Sequence, residues 1–378
     1  FPKLSQSFIL NEIYHLSEQG HKVAVFSLNE PDPEKVHDEV DQLNIDVAYS
    51  DDPSISTVSR NLARSVFDNR SSYPSYFTDP KRRLGVRFLI KECLDFIDTL
   101  EYDLHHIHAH FLRWNKIPAA VIARDLGISS SLTTHAYDLY ASPDNNTLSK
   151  TCNVFDKILT VSEYNKEFLE VEVDPDADIE VVRMGIRTDK FKPSSNSAGP
   201  QLFTVSRFVE KKGIEYALRA VARCVEEYPD LEYRIVGSGP RRQRYETVID
   251  NLGIRDHVTF LGRVSDEQLI QELDVASGFL LPCVVAKDGD RDGIPVALME
   301  AMAIETPPIS TYVSGIPELI EDGGNGYLCS ERSVSEIALA ISDCLSTDNN
   351  TIGAAARETI NRKHDISVVG NRLEEAFT

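Results

Sequence analysis

Asp292 and Glu300 are the two carboxylates whose setting most invites chemistry. They stand eight positions apart inside 282–303, PCVVAKDGDRDGIPVALMEAMA. The apolar run GFLLP (278–282) leads into this stretch and reads as a buried strand. A loop rich in Gly and Asp follows. PVALMEAMA (295–303) then reads as a helix with Pro295 in its first turn, where a missing N–H costs nothing. A strand feeding a loop and a helix N-terminus makes an anion site, because free backbone N–H groups and the positive end of the helix dipole converge there. Asp292 precedes the helix and Glu300 lies about one and a half turns in. One carboxylate would meet a ligand near its phosphate, the other a hydroxyl pair farther along. That pattern suggests a nucleotide-sugar site. An ordinary βα unit with a polar loop accounts for the same residues equally well.

Two further groups belong to the same chemistry. QLFTVSRFVEKKGIEYALRAV (201–221) reads as a strand, a loop holding Arg207 and Lys212, and a helix opened by Gly213. Two cations beside a helix N-terminus suit a pyrophosphate. YRIVGSGPRR (233–242) repeats the pattern with Gly237 and Gly239, a weaker signal because any tight βα turn favours Gly.

The first half holds histidines. DLHHIHAHF (103–111) reads as a strand with His106, His108 and His110 on one face. No carboxylate or Cys sits beside them at ligand spacing, so a metal site is not expected, and packing is the reading for His106 and His108. His110 is nearest the strand's C-terminal end, where α/β proteins put ligands. ISSSLTTHAYDLY (128–140) is a second strand running into a loop with His135 and Asp138. There the His would donate to a substrate hydroxyl and the Asp would orient it, or the two form a structural loop pair. Ser5 and Ser7 stand where the first helix (1–20) begins, as ligand donors or as helix caps.

The elements that must position these residues alternate along the chain. After the first helix come a strand at 21–28 and a polar, irregular region at 30–80 with one helical patch at 54–67. The segment 80–100 is an amphipathic helix carrying Lys81, Arg82, Arg83, Arg87 and Lys91, the most basic stretch of an acidic protein. It reads as a solvated face, or as a patch for anionic lipid headgroups. A helix at 115–126, strand-then-helix at 157–169 and a strand at 179–186 complete the first half. The Ser/Pro/Gly segment 192–200 marks a boundary. Strands and helices then alternate to the end, which predicts an α/β fold of two Rossmann-like parallel-sheet domains. The expected domains are 1–192, 199–362 and a terminal helix within 363–378.

The totals agree. A chain of 378 residues with 42% hydrophobic content supports two ordinary domains. Lys+Arg 39 against Asp+Glu 60 gives a net charge of −21, which disfavours nucleic acid as a partner. Six cysteines without a CxxC read as reduced thiols of an intracellular protein. No apolar run approaches the roughly 20 residues of a membrane span, and no signal peptide is visible. Phe1 is not a natural start, so a leading strand is expected to be missing.

FPKLSQSFILNEI, HAHF, THAYD, VSEYN, SRFVEKKGIEYAL, VGSGP, FLGRV, DGIPVALMEAMA and VSGIPELIEDGGNGYL together resemble the GT-B retaining glycosyltransferases of family 4. They are closest in character to enzymes that build exopolysaccharides such as colanic acid. The resemblance covers nearly the whole chain and is more specific in its second half. It implies two domains facing a cleft, the acceptor on the first, the nucleotide sugar on the second, and a terminal helix near 366–377 crossing back to the first. It implies that Arg207 and Lys212 hold the donor diphosphate, Glu300 the ribose hydroxyls, and Val264 the base. Gly293, Ile294 and Pro295 would meet phosphate and sugar through backbone N–H groups. His135 would lie at the transferred sugar, with Glu318 a weaker donor contact. Asp292 departs from the family pattern, which has Glu, so its sugar contact would be lost, moved or used for a different sugar. The implied chemistry is sugar transfer to a glycan or lipid-linked hydroxyl with retention, without metal or other cofactor, in the cytoplasm or at the inner membrane face. DGD (288–290) is the nearest approach to a metal-binding DxD. The alternatives are a GT-B epimerase or hydrolase, and a decayed donor-binding scaffold.

Overall fold

The computed structural model describes residues 6–31, 43, 45–51, 80–141, 144–194, 199–346 and 350–378. They form two compact units. One holds the described residues of Phe1–Val161, Lys166–Gly185 and Ile366–Thr378; the other holds those of Ser162–Asn165 and Ile186–Asp365. Ser5 and the helical patch expected at 54–67 lie outside the described residues.

In the first unit β1 (Ala24–Ser27) pairs in parallel with β2 (Asp46–Tyr49). Strand β2 corrects the reading of 30–80 as irregular apart from a helical patch. Its four residues are too few to show an alternation, and what makes it a strand is its register with β1, Ala24 opposite Asp46. Four parallel strands follow in the order β3 (His106–His110), β4 (Ser129–Thr134), β5 (Lys157–Thr160) and β6 (Ile179–Val181). Strand β4, SSSLTT, is polar yet buried, so its hydroxyls need partners. Ser130 Oγ donates to Asp156 at 2.8 Å, and Thr134 Oγ1 to Thr160 Oγ1 at 3.0 Å.

Helix α1 (Ser7–Glu18) buries Phe8, Leu10 and Ile13 by its apolar spacing, but Asn11, Glu12 and His15 as well. Each of those three has a partner: Asn11 Nδ2 donates to the Gly185 carbonyl at 3.1 Å, Glu12 meets His110, and His15 meets Glu374. The helix cap is Gln6, whose side chain makes no capping bond, and Ser7 is the first helical residue rather than the cap. Helix α2 (Pro80–Ile97) turns Val86, Phe88, Leu89 and Ile90 inward and exposes Lys81, Arg83 and Arg87. Helix α3 (Ile117–Leu126) starts with Pro118 near its N-terminus and stops at Gly127 in the left-handed region, the usual asymmetry of helix ends. The expected loop after β4 is instead a short helix, α4 (Ala136–Tyr140), whose N-cap is His135. Helices α5 (Asn145–Cys152) and α6 (Glu163–Phe168) flank β5.

The second unit is a six-stranded parallel sheet. Its spatial order is β12 (Tyr327–Cys329), β11 (Pro308–Thr311), β10 (Gly278–Leu280), β7 (Gln201–Val205), β8 (Glu232–Val236), β9 (Val258–Gly262). The chain runs outward through β7, β8 and β9, then returns to the other side of β7 for β10. Between β7 and β10 the winding reverses, and ligands of such sheets bind outside the strand C-termini at that point. Among its described residues seven α-helices serve this unit: α7 (Ile214–Cys224), α8 (Arg242–Leu252), α9 (Asp266–Val275), α10 (Val296–Ala303), α11 (Ile316–Leu319), α12 (Val334–Ser346) and α13 (Asn350–Lys363). Ile214, Ala217, Leu218, Val221 and Cys224 make a buried stripe on α7, and each large aliphatic side chain there contributes about 1.5–3 kcal/mol. The four-stranded and six-stranded sheets are both Rossmann-like, and β1 and β2 pair apart from them.

Helix α14 (Ile366–Phe377) returns to the first unit. Val369, Leu373 and Ala376 pack on Leu159 and Val182. Phe377 stacks on His106 with ring centroids 4.4 Å apart. Five of the six cysteines are buried and all six are free.

Candidate active site

The loops after β7 and β10 bring four formal charges together. Lys212 Nζ lies 2.7 Å from Asp292 Oδ2, and Lys211 Nζ lies 3.4 Å from Asp292 Oδ1 and 2.9 Å from Asp290 Oδ1. The two charges of each sign cancel. Burial disfavours the Lys212 ammonium, but Asp292 more than offsets it and the pKa is raised. Burial likewise opposes ionisation of Asp292, and Lys212 and Lys211 reverse this, holding its carboxyl below the ordinary range. The DGD segment is therefore committed to a lysine through Asp290. Lys211 was not singled out from sequence and Asp290 was read only as part of DGD, although charge complementarity between EKK and DGD was a usable signal.

Arg207 is exposed just past the end of β7. Helix α10 begins at Val296, with Pro295 as N-cap rather than in the first turn, and no side chain caps it. Its first backbone N–H groups therefore stand beside buried Gly293 and Ile294. Glu300 lies half-buried in its second turn, and Val264 half-buried in the loop after β9. Gly213 sits at φ 67°, where a Cβ would come within 1.7 Å of the Pro282 carbonyl oxygen. Gly237 presses on the Ser206 carbonyl and Gly239 on the Phe208 backbone, so both serve close packing of the two loops. Glu318 is already engaged: its oxygens accept the backbone N–H groups of Glu163 at 3.0 Å and Tyr164 at 2.9 Å, at the start of α6.

In the first unit His110 closes β3 and His135 follows β4, the adjacent strand. His110 Nδ1 and His135 Nε2 are 3.3 Å apart. His110 Nε2 lies 3.1 Å from Glu12 Oε2. Phe8 and Phe111 each set their ring centroid 4.7 Å from that of His135. Phe111 holds φ 72°, a conformation rare for an aromatic residue and a mark of functional segments. Burial, with His110 beside it, drives the His135 pKa well down, so the ring is neutral. Asp138 has no exposed surface. Its Oδ2 accepts the N–H groups of His135 at 3.1 Å and Leu112 at 2.9 Å, and burial raises its pKa to about 6 in spite of both. It braces the backbone of both strand ends and, being fully buried, reaches His135 through the backbone rather than facing a ligand.

His106 and His108 bond the hydroxyls of β4. His106 pairs with Ser129 and Ser131 at 2.7 Å each, and His108 with Ser131 at 2.7 Å and Thr133 at 3.0 Å. Burial lowers the pKa of His106 to about 4 and that of His108 well below the usual range. The argument that no carboxylate accompanies these histidines fails in three dimensions. Glu12, His108 and His110 each offer a ligand atom, all within 4.8 Å of one another, enough for a metal ion. Each ring nitrogen of the two histidines nevertheless has a protein partner.

The comparisons with known proteins follow this geometry. The family described as glycosyl transferases group 1 matches residues 185–359, and glycosyltransferase family 4 matches 5–190. A putative colanic acid biosynthesis glycosyltransferase, WcaL of Escherichia coli K12, is 30% identical over 99% of this chain and 96% of that one. A GDP-mannose-dependent alpha-(1-6)-phosphatidylinositol monomannoside mannosyltransferase of Mycolicibacterium smegmatis is 25% identical over 72% of this chain and 68% of that one. Among solved structures, Anabaena Alr3699/HepE in complex with UDP and glucose has a TM-score of 0.72 at 18% identity, covering 97% of this chain and 94% of that one.

Proposed function

The chain belongs to the group 1 glycosyltransferases, and we propose that it moves a sugar from a nucleoside diphosphate to a hydroxyl of a glycan or lipid-linked acceptor, with retention and without a metal. It is a glycosyltransferase of polysaccharide biosynthesis, the setting of its colanic acid relative. The observation that carries the donor reading is the site at the winding reversal of the second sheet. Lys212 meets Asp292 from the loop before α10, Arg207 is close enough for its charge to be felt at Lys212, and the start of α10 has no side-chain cap; these would be the donors a departing diphosphate needs. Lys212 is held by Asp292 in the ligand-free protein, so a diphosphate would share or displace that carboxylate. Glu300 would take ribose hydroxyls and the loop at Val264 the base. His135 would serve the transferred sugar as a neutral hydrogen-bond donor. The departing phosphate would take the acceptor's proton, since the residues suggest no protein nucleophile.

A melting-temperature and calorimetric screen of UDP, GDP and ADP and their sugars, without added metal, tests this. Ligand that binds the folded state raises the melting temperature by mass action, about 2.7 kcal/mol of added stability at a hundred times Kd. One nucleotide is expected to give a clear shift. No shift with any of them would overturn the donor reading.

The basic face of α2 supports contact with anionic lipid. Three charge reversals, Arg82, Arg83 and Arg87 to Glu, should lower co-sedimentation with phosphatidylserine vesicles at least a hundredfold, since each basic residue near such a surface contributes about 1 kcal/mol. Unchanged sedimentation would remove the membrane from this reading.

A further inference from the structure

The chemistry given to His135 leaves two neighbours unassigned, buried Glu12 and half-buried His110. Glu12 is 7% exposed, on a helix that also buries Asn11 and His15 against partners, and a carboxylate is costly there unless it too has a task and a partner. Its partner is His110, whose other nitrogen faces His135. An ionised carboxylate only accepts hydrogen bonds, so His110 Nε2 carries the hydrogen of the 3.1 Å contact. The other nitrogen of His135 accepts the Asp138 N–H in the helix cap, so the hydrogen in the 3.3 Å gap belongs to His135 Nε2 and His110 Nδ1 accepts it.

Glu12 thus favours, from two bonds away, the same tautomer of His135 that the helix cap favours from the ring's other side, where it accepts the Asp138 N–H. Without its charge, His110 is free to carry its hydrogen on Nδ1. Two N–H groups would then face each other unless His135 changed tautomer. The aromatic walls of Phe8 and Phe111 hold the His135 ring in place and leave that exchange as the relief open to it.

We propose that Glu12 and His110 are positioning residues of the transferase, setting the tautomer and ring orientation of His135 through a chain of two hydrogen bonds. This rests on the reading above that His135 serves the transferred sugar. The three residues come from α1, the end of β3 and the start of α4, all within the first unit. Other groups packed on the chain are His108, edge-on to His110 with centroids 4.7 Å apart, and the Asp138 carboxylate, which holds the His135 backbone. His108 is occupied by the Ser131 and Thr133 hydroxyls and leaves the chain intact.

Glu12→Gln keeps the shape and removes the charge. An amide can present either its oxygen or its NH2 to His110, so the tautomer is no longer dictated. With histidine-labelled protein, the imidazole nitrogen shifts of His135, assigned by loss in His135→Asn, are expected to show one neutral tautomer, protonated at Nε2. In Glu12→Gln they should move toward a mixture. Turnover, read as nucleoside diphosphate released from the donor selected in the screen, should fall about 10- to 100-fold, the usual loss when a working histidine loses its orienting partner. The KM for donor should not change, because the chain does not touch the diphosphate site. His110→Gln, which deletes the middle ring, is the second variant and is expected to lose turnover to the same extent. Unchanged His135 shifts in Glu12→Gln would overturn the chain itself. Altered shifts with full turnover would show that the chain exists but that His135 does not serve the reaction. That outcome would sink both the proposal and the role given to His135, while Arg207 and Lys212 would stand on their own tests.

Discussion

Lys212→Ala is expected to bind donor about 10- to 100-fold more weakly and to lose turnover by roughly a further 10²- to 10³-fold. The first loss corresponds to one charge-assisted hydrogen bond to phosphate, about 1.5–3 kcal/mol. The second reflects stabilisation of charge that grows on the leaving group as the bond breaks. The variant also strands Asp292, a carboxylate only 14% exposed whose shortest ion pair is with Lys212. Breaking a buried pair from one side costs about 3–5 kcal/mol. Lys211 remains 3.4 Å from Asp292, so the loss here should fall at or below the low end of that range. For a unit of this size that is a fall of about 5–10 °C in melting temperature. The two effects separate in the double variant Lys212→Ala/Asp292→Asn, which should regain melting temperature but not turnover. Recovery of turnover in the double variant would mean that Lys212 acts through folding. Wild-type kinetics in Lys212→Ala would remove it from the site.

Gly213→Ala should be the most damaging single methyl group in the second unit. Gly213 is left-handed at φ 67°, which costs an L-residue roughly 1 kcal/mol. The larger cost is steric, because the new Cβ would sit 1.7 Å from the Pro282 carbonyl oxygen, a backbone atom that cannot rotate aside. Pro282 leads the loop that carries Asp290 and Asp292, so its displacement would also pull apart the lysine–aspartate cluster. A loss above 4 kcal/mol is expected, or more than about 10 °C in melting temperature. Gly253 provides the control: its φ is 69°, with nothing within 4 Å of a built Cβ. Gly253→Ala should show the conformational cost alone, about 1 kcal/mol. Equal losses in the two variants would show that the contact with Pro282 carries no weight.

Much of the architecture was legible because local pattern and fold agree. GFL in β10 is apolar at every position since β7 and β10 to β12 are covered on both faces. The opening of α7 at Gly213 and the N-terminus of α10 beside Pro295 were readable for the same reason, since helix termini are written in a few adjacent residues. Residues that act across the sheet order were not legible. Glu12 and His110 are distant in sequence, and nothing in NEIYHL marks Glu12 as inward-facing rather than solvated. Asp292 reads as a residue for sugar hydroxyls until folding seats it on two lysines. Glu318 reads as a donor contact until α11 brings it to the start of α6. Strand β2 was lost because DVAY acquires its meaning only from β1.

Helix α14 bears on the order in which the molecule can be made. Leu159 and Val182 are covered by Val369, Leu373 and Ala376, and His106 by Phe377. On the ribosome those covering residues emerge after the whole second unit, at about 5–20 residues per second. The second unit can close as soon as Asp365 has cleared the exit tunnel. The first unit, although translated earlier, must wait with an apolar patch and a row of histidines uncovered. The usual N-terminal-first sequence is therefore inverted in its final step, and the interval before α14 arrives is when the nascent chain has most need of a chaperone.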